Sequence, residues 1–210
     1  MSALRQLLND NKFTLITCLP EDNPAYARLA QEAGADALLV REHFALEDIV
    51  AAVDIPVGLD TVTNEDLADK DFKKMIKLVD FVNFVPEALL QVKALNDLTR
   101  VIALDDTFSI EQLMAYKEKG ADALDAAILP GRIGKKELMI GDLQQYITIC
   151  ITSGLPVIIP TQKVIKPSEV AIIEDAGAKG LILTETVLGN SERSFEKALR
   201  EFRIAVDDLG

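Results

Sequence analysis

The sequence predicts a single (β/α)8 TIM barrel formed by residues 1–210. Three observations carry this prediction. Short apolar runs alternate with amphipathic stretches from end to end, eight such pairs can be counted, and the runs are nearly continuous in Val, Ile and Leu. Uninterrupted apolar strands belong to a parallel sheet covered on both faces, so helices must surround it. With 49% hydrophobic residues, the 210-residue chain has the length of one domain and enough apolar surface for a large core.

In order, strands are expected at 14–18, 36–40, 56–59, 81–85, 101–104, 123–129, 156–159 and 180–184. Before strands two, six and eight, a helix is expected to end at Gly34, Gly120 and Gly177, where a positive φ lets the chain reverse. Pro56-Val57 and Pro156-Val157 open strands three and seven. The last helix carries Phe195, Ala198, Leu199, Phe202, Ala205 and Val206 as one inward stripe, with Arg193, Lys197 and Glu201 on its solvated face. Gly34-Ala35-Asp36-Ala37-Leu38 recurs as Gly120-Ala121-Asp122-Ala123-Leu124 four strands later, which suggests a half-barrel repeat.

Composition narrows the partners. A net charge of −12 repels phosphate backbones and anionic lipids, so neither nucleic acid nor a membrane surface is expected. The longest apolar runs have only strand length, and residues 1–6 lack the features of a secretory signal, so the expected location is cytoplasmic. Cys18 and Cys150 fall on a predicted strand and a predicted helix without close partners, which suits buried, reduced thiols. One histidine excludes a multi-histidine metal site or a histidine relay within the chain. The basic, glycine-spaced loop 130–136 is not a Walker A loop, because Lys135 is followed by Lys136 where Ser or Thr should stand. No metal and no cofactor are expected.

In a barrel, catalytic groups come from the C-terminal ends of the strands. Asp60 and Asp105, just after strands three and five, and Asp125, in strand six, are the acid–base candidates. Asp60 and Asp105 could equally cap the helices that follow. Asp125 falls inside its predicted strand, where an ionised carboxylate is costly to bury without a partner. Arg41, His43, Asn83, Lys163, Thr184 and Thr186 are the substrate-binding candidates, with Arg41 able to fork onto an anion. Asp36 and Asp122 open their strands at the opposite face and are expected to be local caps.

Together these residues resemble the N-acylmannosamine-6-phosphate epimerases, relatives of the phosphate-binding barrels of tryptophan and thiamin biosynthesis. Leu15-Ile16-Thr17-Cys18-Leu19-Pro20 is similar to that family's opening strand. The resemblance makes Arg41 a contact to a sugar phosphate and places Asp105 on the aspartate that ends strand five. Asp60 stands where the family has its catalytic lysine and Pro160 where it has its catalytic glutamate. The glycines that usually follow strands seven and eight are replaced by Thr161-Gln162-Lys163 and Thr184-Glu185-Thr186. Around Leu129-Pro130-Gly131 the chain also resembles, more loosely, the glycerol operon antiterminators, which are regulatory barrels.

The expected function is that of an isomerase, epimerase or lyase acting on a small anionic substrate, phosphorylated or carboxylated, with an anion held between the ends of strands seven and eight. The alternative is a non-catalytic ligand-binding or regulatory barrel. Small barrels of this kind often pair, which makes a homodimer one open assembly, but the sequence itself does not give the oligomeric state.

Overall fold

The computed structural model describes residues 3–10, 13–41, 44–62, 74–88, 98–129 and 136–209. Eight parallel strands close in sequence order: β1 (Thr14–Cys18), β2 (Ala37–Val40), β3 (Val57–Asp60), β4 (Phe81–Phe84), β5 (Thr99–Ala103), β6 (Ala123–Asp125), β7 (Val157–Pro160) and β8 (Gly180–Leu183), with β8 pairing back onto β1. The described helices are α1 (Ala3–Asp10), α2 (Pro24–Glu32), α3 (Leu46–Ala52), α4 (Ile110–Lys119), α5 (Ile140–Ser153), α6 (Val170–Asp175), α7 (Glu185–Leu188) and α8 (Glu192–Asp207). Gly34, Gly120 and Gly177 carry φ of 102°, 99° and 95°, so the reversals stand where the sequence places them. Among the described residues no helix is long and apolar enough to cross a membrane. Both cysteines are free.

The barrel interior is filled rather than hollow. Ile16, Leu39, Phe81, Val101, Ile158 and Ile182 form one buried cluster, which Leu4 and Leu8 of α1 join. The strand register explains how it packs. Gly58 of β3 lies beside Phe81 of β4, and a Cβ on Gly58 would collide with the Phe81 ring. The missing side chain on one strand is thus the space for the large one on its neighbour.

At the N-terminal ends of the strands, three aspartates clasp neighbouring strands. The Leu15, Val57 and Arg100 N–H groups donate to Asp36, Asp80 and Asp122 Oδ2 at 2.8, 3.2 and 2.9 Å. In return the Asp36, Asp80 and Asp122 N–H groups donate to the carbonyls of the same three residues at 2.8–2.9 Å. The expectation of local caps is corrected here, because each carboxylate serves the preceding strand. Each of these N–H groups points toward the following strand before that strand has begun, and the carboxylate supplies the missing partner. Arg203 of α8 donates to both Asp36 oxygens at 3.1 Å, while Arg5 and Arg100 flank Asp122 at 2.6 and 3.1 Å.

At the other end, Thr61 and Thr161 each give both N–H and hydroxyl to one carbonyl on the next strand, that of Asn83 or Ile182. β6 stops at Asp125 instead of running to residue 129. The reason is Gln162, whose Nε2 donates to the Ala127 and Leu129 carbonyls at 3.3 and 2.9 Å while its Oε1 accepts from the Leu129 N–H at 3.1 Å. A side-chain amide there takes the place of a strand partner.

Candidate active site

Asn83 of β4 and Asp125 of β6 are separated by β5, yet Asn83 Nδ2 donates to Asp125 Oδ2 at 2.9 Å. Strands that are not neighbours can exchange such a bond only through the lumen, so both side chains point inward. They are 2% and 4% exposed. Asn83 Oδ1 and Asp125 Oδ1 have no partner among the described residues. Burial lifts the Asp125 carboxyl to about 7; the Asn83 amide opposes the rise and the charge of Asp60 adds to it. Because β6 ends at this residue, the carboxyl sits at the strand's C-terminal end, where a barrel places its chemistry.

Asp60 ends β3 in register beside Asn83. Its Oδ1 accepts the Val62 N–H at 3.2 Å, so it caps its own turn. Burial raises its pKa, against that N–H and the Arg41 charge, with Asp22 adding to the rise. Arg41 follows β2; its N–H donates to Asp22 Oδ2 at 2.9 Å and its Nη2 to the Leu19 carbonyl at 3.2 Å. Both Cys18 and Asp60 feel its positive charge, which puts the guanidinium over the β1–β3 sector of the mouth. Cys18 is buried, and burial pushes its thiol up to about 12 despite Arg41, with Asp60, Asp22 and Glu185 adding to the shift. It therefore stays a protonated thiol at neutral pH.

The other predicted residues fare differently. Asp105 does not join the lumen pair: β5 ends at Ala103, and Asp105 stands in a solvent-exposed turn where Thr107 donates its N–H and hydroxyl to Oδ1 at 2.8 and 2.6 Å. The Thr107 hydroxyl, then its N–H, hold the Asp105 carboxyl below the usual range. Lys163 is tied to Asp142 of α5 at 2.5 Å, with both side chains nearly buried. The hydroxyls of Thr161 and Thr184 lie 3.0 Å apart, Thr184 N–H donates to Thr161 Oγ1 at 2.8 Å, and Thr184 Oγ1 donates to the Thr161 carbonyl at 2.9 Å. Thr186 N–H is directed onto Thr184 Oγ1 at 3.3 Å. Of the donors expected to receive an anion between β7 and β8, Lys163 is thus engaged with Asp142, Thr184 with Thr161, and the Thr186 N–H with Thr184. His43 and loop residues 130–135 lie outside the described residues.

Sequence inspection named Thr161 and Gln162 only as part of the segment after strand seven, without listing them as site candidates, and passed over Asp22. Thr161 had a visible signal, since it stands one hundred residues after Thr61 and each follows a strand opened by Pro-Val. Among the described residues, no group of three or more His, Cys, Asp or Glu is placed to hold a metal ion.

No protein-family model matches the chain, and no curated protein matches its sequence. Solved structures do match in three dimensions. The fold is that of known (β/α)8 barrels. Thiamine phosphate pyrophosphorylase from Pyrococcus furiosus superposes with a TM-score of 0.68 at 20% identity, covering 98% of each chain. A ligand-free tryptophan synthase from M. tuberculosis gives 0.73 at 16% identity over 98% of this chain and 99% of the other. KGPDC from Streptococcus mutans, in complex with D-R5P, gives 0.73 at 13% identity over 95% and 99%. At these identities the likeness is one of fold.

Proposed function

We propose that this barrel is an acid–base enzyme, an isomerase, epimerase or lyase, acting on a small metabolite with an anionic end and a hydroxyl-bearing skeleton. The observation that carries the proposal is Asp125: a carboxyl at the strand ends, 4% exposed, lifted to about 7, and held by one neutral amide. Such a group exchanges protons readily at neutral pH. Its free oxygen and that of Asn83 are two buried acceptors that substrate hydroxyls would satisfy. Asp60 supplies the second carboxylate, and the Arg41 guanidinium has N–H groups left to hold a phosphate or carboxylate. The neighbours named for a thiamine phosphate enzyme and for a complex with D-R5P support a phosphorylated substrate class. The epimerase resemblance supports the same class without its mechanism, since Asp60 and Pro160 stand at the positions of its lysine and glutamate.

A panel of pentose and hexose phosphates incubated with the protein in D2O tests this. Mass spectrometry should find deuterium incorporated at carbon in at least one member, with the signal lost in Asp125→Asn and binding weakened in Arg41→Ala. Binding without exchange would favour the non-catalytic barrel, for which the mutual engagement of Thr161 and Thr184 is the favouring observation.

A further inference from the structure

α5 carries two apolar stripes where one is needed. Its inner stripe, Tyr146, Ile149 and Ser153, is buried against the barrel. Its outer stripe, Ile140, Ile147 and Ile151, is 76%, 39% and 79% exposed, with Gln144 and Thr148 between. A helix that is apolar all round is ordinarily covered on all sides. The only charged residue of α5 is Asp142, which is buried and paired with Lys163. Every other described helix exposes at least one charged side chain.

The neighbouring α4 extends the face. Lys117 Nζ donates to the Gly154 carbonyl at 3.1 Å, which brings the C-terminal ends of α4 and α5 together. Met114 and Ile110 lie three and seven residues before Lys117, on the same edge of α4, and are 62% and 51% exposed. The apolar strip therefore runs from α5 onto the bordering edge of α4. α5 is about 21 Å long and two adjacent helices are about 20 Å across, a projected face of about 420 Å², about half of the roughly 800 Å² per partner of a standard interface, so the contact is a small one.

We infer that this α4–α5 face is the interface through which two copies of the chain pair. Charge selects the occupant. A two-fold contact sets a surface against itself, so in a chain of net charge −12 a uniformly acidic face would repel its own copy, whereas exposed α5 brings no charge to the contact and the α4 edge brings both signs, Lys117 with Glu111 and Glu118. Antiparallel packing of α5 on α5 sets Ile140 of one copy toward Ile151 of the other, with Ile147 nearer the axis. The mouth stays open in such a pair, because the contact lies on the outer wall of the barrel.

Sedimentation equilibrium of the full chain at about 50 µM, above a micromolar Kd, should give twice the 23.0 kDa chain mass. Raising salt should tighten the pair, because the two copies repel elsewhere. The double variant Ile147→Lys/Ile151→Lys should sediment as a monomer with an unchanged circular dichroism spectrum, and Ile147→Leu should remain a dimer. A monomeric wild type overturns the inference, as does a dimer that persists in the folded double variant. Co-sedimentation of monomeric wild type with phosphatidylcholine vesicles would overturn it in favour of a lipid surface.

Discussion

At the base of the barrel, Asp36 faces Arg203 and Asp122 lies between Arg5 and Arg100; at the mouth, Asp125 faces an amide and Asp60 a backbone N–H. Each base carboxylate also completes the hydrogen bonding of a neighbouring strand. Removing any of them leaves a defined structural partner unsatisfied. Asp125 instead retains a free oxygen and no ion pair among the described residues, and its burial is opposed by desolvation. The same residue type thus holds strands together at the base, where arginines compensate Asp36 and Asp122, and stands buried against a neutral amide at the mouth, where its carboxyl is lifted to about 7.

The largest expected effect is on the mouth side of that comparison. The carboxyl of Asp125 titrates near 7 in the fold and near 3.8 in the open chain, so between those values the folded state keeps a proton that the unfolded state has lost. Stability should fall as pH rises through this window, by up to about 4 kcal/mol, and level off above it. Urea titrations from pH 4 to pH 8 should show wild type losing stability relative to Asp125→Asn; parallel curves would mean that Asp125 is ionised throughout.

On the base side, Asp122→Ala strips a carboxylate from two arginines and a strand N–H, and should cost about 3 kcal/mol in urea denaturation. A loss below about 1 kcal/mol would erase the distinction between the two ends.

Gly58→Ala probes the packing between them. Its Cβ meets the Phe81 ring, so the variant should lose about 2 kcal/mol, and Gly58→Ala/Phe81→Leu should recover part of the loss. Additive losses would show that the two positions do not share one space.

Asp105→Ala should have the smallest effect, about 1 kcal/mol or less, because it removes only the local bonds from Thr107 in an exposed turn. Sugar phosphate binding should be unchanged. A loss of binding would bring Asp105 into the mouth and extend the group of acids there.

Much of the frame was legible in the chain because it is set locally. Gly34, Gly120 and Gly177 take the positive φ that their places before strands predict, and the recurrence of Gly-Ala-Asp records a clasp used at β2 and β6. The third clasp, at Asp80, was hidden because Asp80 lacks the preceding Gly-Ala. Helix α1 was missed as well, although Leu4 and Leu8 stand one turn apart; its role depends on an interior that eight distant strands create.

By itself the sequence determined the eight-fold alternation, the covered parallel sheet and the set of polar residues near the strand ends, since periodicity and turn chemistry act over a few residues. Only the tertiary structure decided which polar residues meet. Asn83 and Asp125 are 42 positions apart and touch across a strand that contributes neither. Lys163 stands in the predicted place but is drawn to Asp142, and Asp105 turns to Thr107 two residues on. A side chain's protonation and partners follow from which groups enclose it, and barrel closure brings those groups from every part of the chain.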